Sequence, residues 1–313
     1  MKPRIFIDGE AGTTGLQIHS QLSNRDDIEL LELPRAERKD PQKRSQALNE
    51  CDIAILCLPD DAARESVSLV KNPQVRILDA SSAHRSTPGW VYGLPELTSG
   101  QAALIAEANR VTNPGCYPTG AIALLRPLTE CGMVPRDYPV NVHAISGYSG
   151  SGRSLIEAYE DPNHPEPISA AFRGYGLSLK HKHVPEMQKQ ALLTYPPLFT
   201  PSYGKYRQGI VLYVPLHVRL LQAGISAKQI HDCLSEFYSN SNHINVIPVE
   251  QAARVTQLDP EYLNGTNSLD IYVFANEEAG QILLAAVFDN LGKGASRAAI
   301  QNLNIMLNNV YTK

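Results

Sequence analysis

The stretch Asn113-Pro114-Gly115-Cys116-Tyr117-Pro118-Thr119-Gly120 concentrates the chemistry of this chain. Two prolines and a glycine hold a tight turn, after which Ala121, Leu124, Leu125 and Leu128 set a helical apolar rhythm. Cys116 is therefore expected near a helix N-terminus. The positive end of a helix dipole stabilises a thiolate, and the thiolate is the form that attacks an acyl carbon. Cysteine is also among the residues most often fully buried. That plainer role suits Cys51 and Cys57, in or beside an apolar strand, and Cys131 and Cys233, on expected helices. The turn chemistry sets Cys116 apart.

Thiolate catalysis needs an acid/base, and His181-Lys182-His183-Val184-Pro185-Glu186 offers two histidines, which titrate in the right range. An HxH pair also suits a metal on an extended strand, but no second ligand cluster with fitting spacing accompanies it, so no metal is expected. Two polar turns gather further groups. Ser146-Gly147-Tyr148-Ser149-Gly150-Ser151-Gly152-Arg153 follows a strand over 140–145 and offers backbone N–H groups and an arginine to a phosphate or carboxylate. Asp79-Ala80-Ser81-Ser82-Ala83-His84-Arg85 follows another strand and puts Arg85 at the same expected edge.

These groups must be carried by a scaffold, and the first part of the chain reads as alternating strands and helices. Residues 2–8 form an apolar strand ending in Asp8-Gly9-Glu10-Ala11-Gly12-Thr13-Thr14-Gly15, and a helix marked by Leu16, Ile18 and Leu22 follows. Residues 28–33, 52–58, 75–80 and the short 111–112 are the next expected strands. Their near-continuous apolar runs suit a parallel sheet buried on both faces. The pattern predicts a doubly wound α/β domain with its ligand site at the strand carboxyl ends. Glycines at 9, 12 and 15 give a GxxGxxG spacing rather than GxGxxG. Between a strand and a helix, it still fits a pyrophosphate approaching backbone and a helix start. Glu10 must then point away from that pyrophosphate or towards a sugar hydroxyl. After the second strand, Glu32-Leu33-Pro34-Arg35 is followed by Arg38 and Lys39. Three basic residues there favour NADPH over NADH, and the choice among them stays open.

Composition bounds the rest. The 313 residues suggest two domains, and 43% hydrophobic content is ample for packed cores. No apolar run approaches the roughly 18 residues of a membrane helix, and no secretory signal is read at the N-terminus, so a soluble cytoplasmic protein is expected. Five cysteines without a CxxC pair argue against a disulfide framework or structural zinc. A net charge of −4 with mixed signs gives no nucleic-acid footprint.

Taken together in this order, the glycine loop, the Ser81 to Arg85 turn, Tyr92-Gly93-Leu94-Pro95-Glu96, the Cys116 turn, the Ser146 to Arg153 turn, the His181 to Glu186 segment and Asp289-Asn290-Leu291-Gly292-Lys293-Gly294-Ala295-Ser296 resemble the N-acetyl-gamma-glutamyl-phosphate reductases. The likeness runs from end to end and is closest to the shorter, type 2 form of these phosphorylating semialdehyde dehydrogenases. It implies NADPH-dependent reduction of N-acetyl-glutamyl 5-phosphate to the 5-semialdehyde with release of phosphate, a step of arginine biosynthesis. It implies Cys116 as nucleophile and His183, rather than His181, as acid/base. Cofactor contacts would come from Gly9, Gly12, Thr13, Thr14, Gly15, Arg35, Arg38, Lys39, Pro59, Asn290, Lys293 and Gly294. Substrate contacts would come from Ser81, Arg85, Asn113, Gly150 and Arg153. The resemblance also implies an α+β catalytic and oligomerisation domain, 116–289, inserted into a Rossmann-type NADP(H) domain, 1–115 plus 290–313, in a homodimer or homotetramer. In the inserted domain 209–216, 269–275 and 281–288 read as strands and 226–238 as a helix, and a last helix over 295–310 carries Ile300, Leu303, Leu307 and Val310 on one face. Two other readings are an aspartate-semialdehyde dehydrogenase-like enzyme acting on another acyl phosphate, and a dinucleotide sensor without turnover, which would not need Cys116.

Overall fold

Ile53-Ala54-Ile55-Leu56 contains no polar residue, and a strand of that kind has to be covered on both faces. In the computed structural model, which describes residues 2–308, it is the centre of a six-stranded sheet. The elements are β1 (Arg4–Asp8), α1 (Thr13–Leu22), β2 (Glu29–Leu31), α2 (Pro41–Glu50), β3 (Ile53–Leu56), α3 (Asp60–Leu69), β4 (Arg76–Asp79), β5 (Val91–Tyr92), α4 (Gln101–Glu107) and β6 (Arg110–Thr112). All pairs are parallel, in the order β2-β1-β3-β4-β6-β5. Successive side chains take opposite faces: Ile5, Ile7, Ile53 and Ile55 pack with Ile18 and Leu22 of α1. Phe6, Ala54 and Leu56 pack with Ala47 and Leu48 of α2 and Ala63 of α3. Because β2 and β3 lie on either side of β1, a crevice opens at the carboxyl end of β1, where the glycine loop sits.

A second unit, Cys116–Gly294, is inserted between β6 and the last helix. It contains α5 (Cys116–Glu130), β7 (Asn141–Gly147), α6 (Arg153–Glu160), β8 (Phe172–Gly174), α7 (Val184–Gln190), β9 (Leu198–Gly204), β10 (Ile210–His217), α8 (Ala227–Phe237), β11 (Ile244–Val246), α9 (Val249–Ala252), β12 (Leu269–Asn276) and β13 (Gln281–Phe288). Seven strands form one mixed sheet, β11-β12-β13-β10-β7-β9-β8. Period-two alternation decides its faces. Ile282, Leu284, Ala286 and Phe288 of β13 join Leu124 and Leu128 of α5 and Ile230 and Leu234 of α8 in the main core, while Ala285 and Val287 face a smaller cluster with Tyr272 and Ala252. Gly120 lets α5 approach β13 closely, since a Cβ there would lie 2.6 Å from the Phe288 ring. The serine before α8 caps it through a full capping box with Gln229.

The chain then returns to the first unit through a π-helical turn, Gly292–Ser296, and α10 (Arg297–Asn308). Ala299, Leu303, Met306 and Leu307 join the β1–β3 core, and Asn302 donates to the Gly93 carbonyl at 2.7 Å. This is the doubly wound α/β unit with an α+β insertion that the sequence leads one to expect. Its boundaries differ in detail. The strand expected over 28–33 stops at Leu31, so Glu32 to Arg35 lie in the following loop. The last helix begins at Arg297 rather than 295, because the preceding residues wind more widely, and its expected end at Val310 lies outside the described residues. Cys131 lies just past α5, not on it: Gly132 at φ +79° turns the chain away.

Candidate active site

The glycine loop is built by close backbone packing. Gly9 has φ +91°, and a Cβ there would stand 2.4 Å from the Cys57 carbonyl oxygen. A Cβ on Gly15 would stand 2.4 Å from the Gly9 oxygen, whereas one on Gly12 would meet only ordinary contacts. Two of the three glycines are therefore fixed by geometry. Gly12 precedes α1, so Thr13 and Thr14 open that helix. At the end of β1, the buried Asp8 carboxylate accepts from Arg44 Nε at 3.2 Å, Arg44 Nη2 at 3.0 Å and Ser66 Oγ at 2.7 Å. Burial opposes the charge on Arg44, but the Asp8 and Glu65 carboxylates win and raise its pKa above the ordinary value.

A cavity of about 270 Å³ adjoins this loop, lined by Gly9, Glu10, Ala11, Leu33, Arg38, Lys39, Arg44 and Leu58 among others. Its loop and its lining fit a nucleotide: glycines that let a ligand approach the backbone, a helix start and basic side chains. Arg38 and Lys39 line it, whereas Arg35 is exposed and does not. Glu10 forms an ion pair with Arg38, which also donates to the Leu33 carbonyl at 3.1 Å. The loop carboxylate thus has a cationic partner. Glu32 is taken by His19 at 2.6 Å. Pro59 precedes α3, and its carbonyl accepts from the Ala63 N–H at 2.9 Å.

In the same unit, Asp79 organises the Ser81 turn. It accepts from the Ser81 N–H at 2.8 Å and the Ser81 hydroxyl at 2.9 Å, and pairs with His84 Nδ1 at 2.6 Å. His84 stacks on Trp90. Arg85 Nε donates to the Asn113 carbonyl at 3.0 Å, and Asn113 Nδ2 donates to the Ala295 carbonyl at 3.0 Å. Arg85 therefore braces the segment leading into the cysteine turn.

In the second unit, Cys116 is the first residue of α5 and is partly exposed. Gly294 packs directly on it: a Cβ on Gly294 would lie 2.9 Å from Cys116 Cβ. Tyr117 turns its ring edge towards His183 at a centroid distance of 5.8 Å and towards His181 at 6.2 Å. The two imidazoles are 4.7 Å apart. His183 is buried and precedes α7, and its N–H donates to His181 Nδ1 at 3.2 Å. Burial first, and then Lys182, lower the His181 pKa to about 4. The remaining cysteines sit in different settings. Burial first, aided by nearby carboxylates, pushes the Cys51 and Cys57 thiols up to about 12. Cys131 and Cys233 lie 3.4 Å apart, sulfur to sulfur. Among the described residues, no group of three or more His, Cys, Asp or Glu side chains is arranged to hold a metal ion.

Asn290 fastens two loops of this unit, accepting from the Gly209 N–H at 2.7 Å and donating to Ser149 Oγ at 3.1 Å. Gly150 lies against it, and Lys293 is fully buried. Arg153 is different: its side chain is 80% exposed, and its Nε pairs with Glu157 one helical turn on, at 2.6 Å.

Residues 4–105 match the family model described as semialdehyde dehydrogenase, NAD binding domain, and residues 116–290 match semialdehyde dehydrogenase, dimerisation domain. The chain is 59% identical over 305 residues to the N-acetyl-gamma-glutamyl-phosphate reductase of Burkholderia cenocepacia, covering 97% of each chain. It is 51% identical over 308 residues to the enzyme of the same name from Brucella suis, covering 98% and 99%. The chain belongs to the N-acetyl-gamma-glutamyl-phosphate reductase family. Such a reductase is an oxidoreductase with a nicotinamide-nucleotide domain. Solved aspartate semialdehyde dehydrogenases share the reductase's fold at much lower identity. The Vibrio cholerae enzyme II has a TM-score of 0.74 at 18% identity, covering 98% of this chain and 99% of its own. The Candida albicans enzyme, solved with NADP, has 0.66 at 13%, covering 99% of both. Among the described residues no helix of this reductase-family chain is long and apolar enough to cross a membrane.

Some groups in this reductase-family site escape sequence reading. Arg44, which lines the cavity, is separated by 36 residues from its partner Asp8, and only its place in a basic run marks it. The hydroxyls around Tyr117 come from Ser146 and Tyr175, and no local pattern joins them.

Proposed function

We propose that this chain reduces N-acetyl-L-glutamyl 5-phosphate to N-acetyl-L-glutamate 5-semialdehyde, releasing phosphate, in arginine biosynthesis. The observation that carries the reading is Cys116 at the first position of α5, packed on Gly294 and joined through Tyr117 to His183. The relatives at 51% and 59% identity carry this enzyme's name, whereas the aspartate-semialdehyde enzymes are 13–18% identical, which favours the N-acetyl-glutamyl substrate.

The helix start stabilises negative charge on the Cys116 sulfur. The thiolate attacks the acyl carbon, a C–S bond forms, the C–O bond to phosphate breaks, and phosphate leaves with the electron pair. NADPH, when bound, supplies the hydride that reduces the thioester carbonyl. First-turn N–H groups of α5 stabilise the oxyanion. His183 exchanges the thiohemiacetal proton as the aldehyde departs and Cys116 regains its negative charge. Burial keeps His181 uncharged near neutrality.

Gly9, Gly12, Thr13, Thr14 and Gly15 would receive the pyrophosphate, and Arg38 and Lys39 the 2′-phosphate, with Pro59, Asn290, Lys293 and Gly294 completing the cofactor contacts. Arg85, Asn113, Ser81, Gly150 and Arg153 remain the substrate candidates. The exposed Arg153 would have to exchange Glu157 for a substrate carboxylate or phosphate. The dimerisation description of residues 116–290 supports a homo-oligomer, and the pathway supports a cytoplasmic enzyme. The test is phosphate-dependent NADP reduction with N-acetyl-glutamate semialdehyde and, separately, aspartate semialdehyde. Turnover of the first alone supports the reading; preference for the second overturns it.

A further inference from the structure

Tyr117 follows Cys116 in the chain, yet its hydroxyl has no part in the steps above. Its side chain is buried, and its hydroxyl is held from two sides. Tyr175 OH donates to it at 2.9 Å. The Tyr117 hydroxyl also shares a hydrogen bond with Ser146 Oγ, 2.7 Å away near the end of β7. Tyr175 stacks on Tyr203 at 4.2 Å, and Tyr203 bonds to Ser151. Hydroxyl bonds and a ring stack therefore tie the first turn of α5 to β7, β9 and the turn beyond β7. On its other side the Tyr117 ring meets His183, His181 and Phe199, the last at 5.1 Å.

We propose that Tyr117 is a positioning residue that fixes His183 relative to Cys116 through its doubly hydrogen-bonded hydroxyl and its ring. The proposal rests on the reading of Cys116 as nucleophile. Burial, and then the neighbouring Cys116 charge, push the Tyr117 hydroxyl well above the ordinary phenol range, so it stays protonated and keeps its place in the network rather than acting as a base. A ring released by the loss of both hydrogen bonds drifts by a fraction of an ångström, and misplacements of that order reduce rate without abolishing binding.

Tyr117→Phe keeps the ring and removes the hydroxyl. The expected result is a fall in kcat of about 10-fold, with KM for substrate and NADPH changed by less than about 2-fold. Ser146→Ala gives part of the loss, and the double variant is no slower than Tyr117→Phe alone, because both act on one network. Tyr138→Phe is the control: it removes another buried tyrosine hydroxyl, the acceptor of the His217 N–H at 2.8 Å, and should lower Tm without changing kcat. Wild-type kcat in Tyr117→Phe, with only Tm lowered, overturns the proposal. Should Tyr117→Phe fail to fold, Tyr175→Phe and Ser146→Ala carry the test, and wild-type kcat in both overturns it equally. Full activity in Cys116→Ser would instead remove the nucleophile reading on which the proposal rests.

Discussion

Gly294 turns its Cα towards Cys116, so that a β-carbon on it would lie 2.9 Å from Cys116 Cβ and 3.2 Å from its Cα. The glycine is needed for room, not for an unusual backbone angle. Its N–H is held by the Asp289 carbonyl at 2.9 Å, so the turn cannot easily retreat. Gly294→Ala must therefore push on the first turn of α5. We expect kcat to fall by at least about 10-fold, the scale of effect that a small misplacement of a reacting group produces. Steady-state kinetics on the folded variant decide it, and unchanged kcat would show that α5 yields freely.

The cavity beside β1 separates the three basic candidates. Lys39→Ala and Arg38→Ala should raise KM for NADPH well above any change for NADH, since each lines the cavity. Arg35→Ala should do little, because Arg35 is exposed and outside the lining. Arg38→Ala also strips Glu10 of its partner, leaving a bare carboxylate near the loop, and so should be the more damaging of the two. Equal use of NADH by the wild type would contradict the preference itself.

His183→Asn should lower kcat by roughly two to four powers of ten, the usual range for losing general acid–base help. His181→Asn should do much less. Titration of His181 gives an independent check. Its folded pKa is about 4, below the ordinary 6.5. Between those values the unfolded chain binds more protons than the folded one, so stability falls as pH drops from about 6.5 towards 4. Denaturant midpoints across that window should decline less steeply in His181→Asn than in the wild type. A His181 variant as inactive as the His183 variant would reverse the assignment of roles.

Much of the scaffold was legible because apolar alternation and turn residues leave local marks. β10, β12 and β13 lie within a residue or two of their expected bounds, since each alternates between two covered faces. β9 escaped because Pro201 and Gly204 interrupt Leu198–Gly204, and β8 because all three of its residues are exposed. The candidates for the chemistry stand out in the sequence, Cys116 by its turn and His183 by the resemblance of its HxPE setting to the family's. Their supports do not. Tyr117 meets Tyr175 across 58 residues and Ser146 across 29, and Cys131 meets Cys233 across 102. Only the folded chain could show that Glu10 of the glycine loop pairs with Arg38.

The central claim is that turnover passes through a thioester on Cys116. The most direct measurement is phosphate-dependent NADP reduction by purified Cys116→Ser with N-acetyl-glutamate semialdehyde, with NADPH binding followed in parallel by fluorescence. A serine hydroxyl stays protonated near neutrality and is a far weaker nucleophile than a thiolate. The account predicts that reduction is lost while NADPH binds with nearly wild-type affinity. Substantial turnover by the folded variant would contradict it.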